Sequence, residues 1–463
     1  MKLETLNRFV WGAPTLLLIL GAGLYLSFRT GFAQIALFPR AFRSFFANLR
    51  SGGEENGVSP FQALCTALAA TVGTGNLVGV AGAIALGGPG AIFWMWVCAV
   101  LGMVTKFAEA TLAVRYRVKE NGEYVGGPMY MIRQGMGRRW NWLACVYSFF
   151  GIFAAFGVGN ATQINAVITG MNEVITVFGG SESRTGNLFM GLALAALIGA
   201  MLLGGAKRIG AAAELLVPFA SVAYILLGVG VLIMRFSAVP AAFSAIIKGA
   251  FSPGAVTGGM LGSVFQALRV GVSRGVFTNE AGMGTASIAH ASARVFHPAQ
   301  QGLMGIMEVF LDTIVICTMT ALVILVSGVP IPYGTDAGGA LTTQAFACVY
   351  GEWVTVFLAL ALCCFAFATV LGWGLYGARC AQFLFGAKAW KWFALLQIMT
   401  VVLSAMLETG TIWSLAETVN GLMAVPNLIA LVILSPELSR LTAQYKKSYG
   451  SMDAVGGTYE NLN

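Results

Sequence analysis

Residues 59–86 read SPFQALCTALAATVGTGNLVGVAGAIAL and carry no charge. The stretch is long enough to cross a bilayer as a helix, which takes about 20 apolar residues. Its middle is Gly73-Thr74-Gly75-Asn76, and each glycine costs a helix interior about 1 kcal/mol relative to alanine. We therefore predict a helix that unwinds in mid-membrane, which is tolerated only inside a protein or beside a cavity. The alternative is that the glycines allow close helix packing.

The composition indicates a polytopic helical membrane protein. The 463 residues are 57% hydrophobic and only 10% charged, with a mean hydropathy of +0.79, whereas soluble domains are about 25% charged. The net charge of +8 favours membrane orientation over nucleic-acid binding, because the cations flank apolar spans and form no basic face. The eight cysteines include no Cys-x-x-Cys pair, so we expect core residues without disulfides.

The apolar stretches predict eleven membrane spans. They lie at about residues 9–28, 59–86, 90–114, 142–172, 187–205, 213–234, 256–289, 302–328, 352–385, 390–408 and 412–434. Most Lys and Arg residues fall in one set of alternate loops, which places the N-terminus outside and the C-terminus in the cytoplasm. The sequence therefore predicts a multi-pass protein of a bacterial-type inner (plasma) membrane.

The seventh span, 256–289, resembles the second in having an interrupted middle. It contains Arg269, Arg274 and Glu280, and its Gly282-Met283-Gly284 segment is similar to the first glycine pair. An interval of five spans reverses the direction of entry into the membrane, so an inverted five-plus-five repeat follows, and paired broken helices mark the central site of such transporters. The alternative is a chance pairing of glycines in a chain that has 59 of them. The predicted units are an extra N-terminal helix with a cytoplasmic loop (1–58), a first repeat (59–234), a second repeat (256–434) and a disordered cytoplasmic tail (435–463).

Four motifs carry a resemblance to a known family. They are ATVGTGNLVGVA at 70–81, NEAGMG at 279–284, IAHA at 288–291 and LGWG at 371–374. Together they closely resemble the alanine or glycine:cation symporter family, over nearly the whole chain. The resemblance implies a sodium-coupled importer of small neutral amino acids, with the leucine-transporter-type inverted-repeat fold and one additional helix.

A zwitterionic substrate needs donors for its carboxylate and acceptors for its ammonium group. Free backbone N–H groups of Thr74 and Gly75, at the start of a half-helix, suit the carboxylate. Asn76 offers its amide to the carboxylate or a cation, or alternatively serves as an interhelical hydrogen bond. The resemblance puts Gln163 at the substrate and Trp373 in a wall that keeps the pocket small, the alternative for Trp373 being ordinary packing. The predicted substrate-binding residues are Thr71, Thr74, Gly75, Asn76, Gln163, Gly275, Phe277, Thr278, Thr369 and Trp373.

Sodium is a hard cation that takes oxygen ligands, as calcium does. By resemblance to the wider fold, Ala69 and Val72 would supply carbonyl oxygens. Ala366 and Thr369 have the matching spacing on the ninth span and would supply a carbonyl and a hydroxyl. The alternative for Thr369 is a hydrogen bond to its own helix backbone. No cofactor other than the transported sodium ion is predicted.

Ionisable residues inside membrane spans are functional candidates by default. Glu308 and Asp312 are possible coupling carboxylates. Asp312 has an alternative role as the partner of Arg269 or Arg274 in a structural ion pair. Lys106 and Glu109 are three residues apart and are candidates for a pair within one helix, the alternative being a position near the inner end of their span.

The sequence thus predicts a secondary active transporter and not an enzyme, since it has no nucleotide-binding loop and no nucleophile beside a base. The predicted activity is inward symport of alanine or glycine with sodium by alternating access. Its partners are a small neutral amino acid, sodium and the lipid bilayer, with no nucleic acid. Proton coupling and, less favoured, an ion channel remain as alternatives.

Overall fold

The computed structural model describes residues 10–50, 57–120, 122–259, 263–335, 338–406 and 410–455, which form helices and one short hairpin. The main helices are α1 Ala13–Thr30, α2 Phe38–Arg50, α3 Pro60–Thr71, α4 Val80–Gly87, α5 Gly90–Arg115, α6 Asn141–Phe156, α7 Thr162–Val177, α8 Arg184–Leu202, α9 Gly205–Met234, α10 Val239–Phe251, α11 Val264–Asn279, α12 Thr285–His290, α13 Pro298–Val309, α14 Thr318–Ser327, α15 Ala340–Tyr350, α16 Trp353–Phe385, α17 Ala389–Ser404, α18 Gly410–Ile433 and α19 Ser435–Val455. The antiparallel hairpin consists of β1 Val118–Glu120 and β2 Glu123–Val125. π-Helical turns at Gly75–Gly79, Gly157–Ala161 and Phe310–Cys317 lead into α4, α7 and α14. Shorter helical turns occur at Ala33–Ala36, Pro128–Tyr130, Met131–Met136, Arg138–Trp140, Phe236–Ala238 and Pro253–Val256.

The bundle confirms an all-α polytopic membrane protein. Among the described residues, six segments are long and apolar enough to cross a membrane: Gly90–Arg115, Arg138–Val177, Arg184–Leu202, Gly205–Met234, Pro298–Ser327 and Trp353–Phe385. Two bent pairs also qualify as single spans, namely Pro60–Thr71 with Gly75–Gly87 and Thr418–Ile433 with Ser435–Ser448. The total of eleven spans, and the division into repeats 59–234 and 256–434, stay predictions.

The first broken helix is interrupted where the sequence indicates. Ser59 caps α3 through a hydrogen bond that its side chain accepts from Gln62 N, which satisfies one of the free N–H groups at a helix start. The helix ends at Thr71, and Val72 is extended, with φ −78° and ψ 100°. The chain becomes helical again around Gly75, and the two halves are bent by 53°.

The second broken helix has its interruption between α11 and α12. Glu280 adopts a left-handed conformation with φ 53°, as do Gly282 and Gly284, with φ 95° and 78°. Glycine takes this conformation without the steric cost of a Cβ atom. Glu109 of α5 stabilises the break, because its Oε1 accepts hydrogen bonds from Gly282 N at 2.9 Å and Gly284 N at 3.1 Å. The first half begins at Val264 rather than at residue 256.

The predicted disorder after residue 435 is wrong for the described part of the tail. Ser435–Val455 is helical, and Leu438, Leu441 and Tyr445 are buried against the bundle. These apolar positions recur every three to four residues, which is the spacing of one helix face, and their burial outweighs the polar composition that indicated disorder. Residues 456–463 lie outside the described part.

Charge pairing also holds α19 against the bundle. Glu437 accepts a hydrogen bond from Arg115 Nε at 2.8 Å and pairs with Arg440 Nη2 at 2.7 Å. Arg115 belongs to α5, so this exposed pairing joins the tail to a helix distant in sequence.

Candidate substrate and sodium site

The two helix breaks lie next to each other in the interior. A Cβ atom built on Gly75 would be 3.3 Å from Thr278 Cγ2 and 3.6 Å from Phe277 Cδ1. Thr74 and Asn76 on either side of Gly75 are buried. The structure therefore brings together five predicted substrate-binding residues from α11 and the start of the second half of the first broken helix. The absence of a side chain at Gly75 lets the two segments approach this closely.

Gln163 reaches the first break from the first turn of α7. Its Nε2 donates to Thr74 Oγ1 at 3.2 Å. Its Oε1 lies 3.5 Å from the position of a Cβ atom on Gly73. Among the described residues this buried Oε1 has no hydrogen-bond partner, and an unsatisfied buried acceptor costs about 1–3 kcal/mol. The atom is therefore suited to accept a hydrogen bond from a bound ligand.

Asn76 connects the first break to the span formed by α13 and α14. Its Oδ1 accepts a hydrogen bond from Gly73 N at 3.0 Å. Its Nδ2 donates to Asp312 Oδ1 at 2.7 Å and contacts Cys317 Sγ at 3.3 Å. The alternative of an interhelical hydrogen bond is thus correct for the Asn76 amide N–H, while its oxygen shapes the break itself.

The contacts of Asp312 bear on the two roles that the sequence predicts for it. Its second carboxylate oxygen accepts a hydrogen bond from Thr313 Oγ1 at 2.7 Å, so the donors to its side chain are Thr313 and Asn76. Arg269 and Arg274, the alternative ion-pair partners, line a cavity of about 550 Å³, and the structural ion pair stays a prediction. Asp312 lies one hydrogen bond from the first break, so its role as a coupling carboxylate also stays a prediction.

The predicted sodium ligands lie on two helices that touch each other. Thr369 Oγ1 is 2.7 Å from the position of a Cβ atom on Gly73, and a Cβ atom on Gly372 would be 2.9 Å from Ala70 Cβ. The Thr369 hydroxyl donates to Phe365 O at 2.9 Å, as the alternative predicted. A hydroxyl oxygen that donates its proton still has lone pairs for a cation, so this bond is compatible with sodium binding. Ala69, Val72 and Ala366 are fully buried.

Trp373 is fully buried one helical turn beyond Thr369. Its indole Nε1 donates to Glu280 Oε1 at 3.1 Å, and Glu280 Oε2 accepts from Thr285 Oγ1 at 2.5 Å. A Cβ atom on Gly159 would lie only 2.2 Å from Trp373 Cβ, so the ring is packed directly against the turn ahead of α7. Sequence reasoning missed Glu280 as a partner of Trp373, since 93 residues separate them.

Two of the predicted substrate-binding residues, Gly275 and Thr71, have their contacts away from Gly75. Gly275 packs on α5, where a Cβ atom would be 3.3 Å from Cys98 Cβ, although its carbonyl accepts a hydrogen bond from Thr278 Oγ1 at 2.9 Å. The Thr71 hydroxyl donates to Ala67 O in its own helix at 3.3 Å. The structure does not bring either side-chain position to Gly75, and their roles in substrate binding stay predictions.

A buried ionic cluster replaces the predicted pair within α5. Lys106 Nζ contacts Glu308 Oε1 at 2.8 Å, and both side chains are almost fully buried. Glu308 Oε2 contacts His290 Nε2 at 2.9 Å. Glu109, predicted as a partner of Lys106, instead stabilises the second break. The sequence offered no signal for this arrangement, since 202 residues separate Lys106 from Glu308.

A cavity of about 340 Å³ leads to the first break. Thr74, Leu77 and Val78 line it from the second half of the broken helix, with Glu173 of α7 and the start of α15 on other sides. Thr342 of α15 donates to Leu77 O at 2.9 Å. Helix α15, which lies outside the eleven predicted spans, thus covers the route to Thr74.

The two adjacent broken helices, with a cavity that leads to the first break, define a fold of the leucine-transporter type. The fold matches the crystal structure of MhsT in complex with L-phenylalanine, with a TM-score of 0.55 and 15% identity, over 85% of this chain and 99% of that one. The profile of the sodium:alanine symporter family matches residues 1–454, and the chain belongs to this family. It is therefore a sodium-coupled amino-acid symporter and not an enzyme, as the motifs predicted.

Curated relatives extend over nearly the whole chain. The sodium/alanine symporter AgcS of Methanococcus maripaludis is 44% identical over 93% of this chain and 94% of its own length. GlnT of Bacillus subtilis, described as a probable sodium/glutamine symporter, is 38% identical over 93% of this chain and 87% of its own length. The predicted family and the transported sodium ion are confirmed.

Proposed function

We propose that this protein carries alanine or glycine into the cell together with sodium by alternating access. The names of two relatives indicate substrates of different size, alanine for AgcS and glutamine for GlnT. Preference for a small amino acid therefore depends on the pocket of this chain. The N-terminus would lie outside and the C-terminus in the cytoplasm of a bacterial-type inner membrane, as the distribution of Lys and Arg predicts.

The observation that carries the proposal is the set of polar groups around the first break. N–H groups at the start of a helix have no partner within that helix, so those of Thr74 and Gly75 would bind the substrate carboxylate. The unpartnered Gln163 Oε1 would accept a hydrogen bond from the ammonium group. Both ends of a zwitterionic amino acid thereby find complementary groups in an interior where unpaired polar atoms are costly.

The pocket walls leave little room for a side chain. Phe277 and Thr278 already approach the Gly75 backbone, and Trp373 is fully buried. A methyl group or a hydrogen is the side chain that such walls would accept. An additional methylene group in a tight apolar pocket changes discrimination by about 1–3 kcal/mol.

Sodium would bind where α3 contacts α16. The carbonyl oxygens of Ala69, Val72 and Ala366 and the hydroxyl of Thr369 are its proposed ligands. The extended conformation of Val72 supports this assignment, because its carbonyl is released from the regular helical pattern. A cation bound there would join the two helices and favour the substrate-binding arrangement, and this coupling of sodium and substrate binding must be reciprocal.

The two ends of the first broken helix differ, since one is held by contacts and the other faces a cavity, and this difference supports alternating access. Ahead of α3, Val58 pairs with Ala293 in a short bridge, and Arg117 donates hydrogen bonds to Ala291 O and Ala293 O. These contacts join the segment ahead of α3 and the residues after α5 to the segment that follows α12, at the end that carries the hairpin. On the other side of the break the cavity reaches Thr74. Transport would require these contacts to separate and that cavity to close.

The test is uptake of radiolabelled alanine into liposomes that contain the purified protein. An inward sodium gradient alone is expected to drive saturable uptake, which excess unlabelled glycine suppresses. Uptake that needs a pH gradient and not sodium would contradict sodium coupling, and Asp312 would then be the carboxylate to substitute first. Uptake of only larger amino acids would contradict the small pocket.

Enlarging the pocket is a direct test of the proposed selectivity. Trp373→Ala removes a fully buried indole, so alanine uptake at low concentration should fall about tenfold and larger amino acids should become competitors. Competition by valine, leucine and glutamine against labelled alanine measures the change. Unchanged competition in a folded variant would show that Trp373 does not line the pocket. Trp392→Ala is the matched control, because this side chain is exposed.

A further inference from the structure

We infer that Glu280 determines the size selectivity of transport by holding the indole ring of Trp373 in place. This inference rests on the proposed function, because it assigns Trp373 to the substrate pocket. Glu280 would be a positioning residue, acting on the substrate through Trp373. No predicted site residue had this role.

The contacts of Trp373 leave its orientation dependent on Glu280. The indole has a single polar atom, Nε1, and that atom donates to Glu280 Oε1 at 3.1 Å. Buried tryptophan N–H groups need a partner, and an indole that loses it pays the cost of an unsatisfied donor, about 1–3 kcal/mol. On the backbone side, the turn at Gly159 prevents displacement, because even a Cβ atom there would be 2.2 Å from Trp373 Cβ. The ring of Tyr376 packs edge-on at 5.7 Å between centroids.

Glu280 is itself held by the second break. It is the first residue after α11, in a left-handed conformation with φ 53°, which is uncommon for a residue other than glycine. Its Oε2 accepts a hydrogen bond from Thr285 Oγ1 at the start of α12. Its two carboxylate oxygens thus join α16 to α12, and the break fixes the backbone from which the side chain extends.

Through these hydrogen bonds, the geometry of the second broken helix sets the position of the Trp373 ring in the pocket wall. Movement of α12 relative to α11 changes the position of Thr285 and therefore of the Glu280 carboxylate. The hydrogen bond to Trp373 then changes, and the ring is released from its place. The pocket would be narrow while the break has its present geometry, and it would widen when α12 moves. The protein would therefore discriminate between amino acids by side-chain size before it releases the substrate.

Two substitutions distinguish whether Trp373 needs only a hydrogen-bond acceptor at residue 280 or needs the charged carboxylate itself. Glu280→Gln keeps an oxygen for Trp373, and its amide N–H can donate to the Thr285 hydroxyl, which is both donor and acceptor. Glu280→Leu has a similar length but no acceptor. We expect Glu280→Gln to retain the competition pattern of the wild type. Glu280→Leu should weaken alanine competition about tenfold and admit valine and leucine, as Trp373→Ala does.

A double-mutant cycle with Trp373→Phe makes the test specific. Phenylalanine lacks the N–H group, so Glu280→Leu should produce little further change in selectivity in that background, a non-additive result. Equal effects in both backgrounds would overturn the inference. So would a Glu280→Leu variant that transports fewer molecules with the wild-type selectivity, which is the result of a merely structural role.

The control variant is Glu109→Gln. Glu109 is a buried carboxylate that bonds to the same break through Gly282 N and Gly284 N. Glutamine keeps a side-chain oxygen that can accept both bonds, so the break should keep its geometry, and the Glu280–Trp373 hydrogen bond and the size selectivity should stay as in the wild type. If wild-type protein takes up no alanine under any gradient, the proposed function fails. If it takes up alanine and Glu280→Leu keeps wild-type selectivity, only the present inference fails.

Discussion

Replacing Asn76 with alanine is expected to reduce alanine uptake about a hundredfold and to raise the sodium concentration that transport requires. The amide of Asn76 accepts a hydrogen bond from Gly73 N and donates one to Asp312 Oδ1. Its removal leaves two buried groups unsatisfied, each at a cost of about 1–3 kcal/mol, and every 1.4 kcal/mol corresponds to a factor of about ten. The break that presents the backbone of Thr74 and Gly75 would lose its fixed shape.

The measurement is sodium-dependent alanine uptake in liposomes, normalised to the amount of folded protein. Asn172→Ala is the control, because Asn172 is also a buried amide on α7 but has no assigned contact with either break. Near-normal uptake by Asn76→Ala would show that the hydrogen bonds of this residue serve packing alone. A loss of uptake in both variants with loss of folded protein would instead indicate a general effect on stability.

The second large effect concerns the buried ionic cluster, where Lys106→Met is expected to reduce the free energy of unfolding by about 3–5 kcal/mol. Lys106 and Glu308 are in contact at 2.8 Å with side-chain exposures of 1% and 0%. Methionine preserves most of the side-chain length but leaves the Glu308 charge without its ammonium partner. An isolated buried charge costs more than a satisfied pair contributes.

The double variant Lys106→Met with Glu308→Leu should recover most of this loss, since it removes both charges together. His290 would keep its contact with Gln301, which is at 2.7 Å. Thermal unfolding of the purified protein in detergent measures Lys106→Met, Glu308→Leu and the double variant. Lys391→Met, at an exposed position, is expected to change the unfolding free energy by no more than about 0.5 kcal/mol. If the losses of unfolding free energy in Lys106→Met and Glu308→Leu simply add in the double variant, direct coupling between these two side chains is contradicted.

The sequence by itself determined the class of the protein and the position of both helix breaks. The apolar composition excludes a soluble domain. Gly73 and Gly75 indicated the first interruption, which lies between Thr71 and Gly75, and Gly282 and Gly284 indicated the second. These features are local, because hydropathy and the helix cost of glycine act within a few residues of chain. The family resemblance carried the prediction further, to sodium and amino-acid transport.

Only the tertiary structure decided which polar side chains meet in the interior. Asn76 pairs with Asp312 across 236 residues of sequence, and Trp373 pairs with Glu280 across 93. Each of these side chains had more than one chemically suitable partner, so composition left the choice open. The packing of α11, α16 and the α13–α14 span around the first break determines the partners, because a buried polar atom must bond with a group that the fold brings within reach.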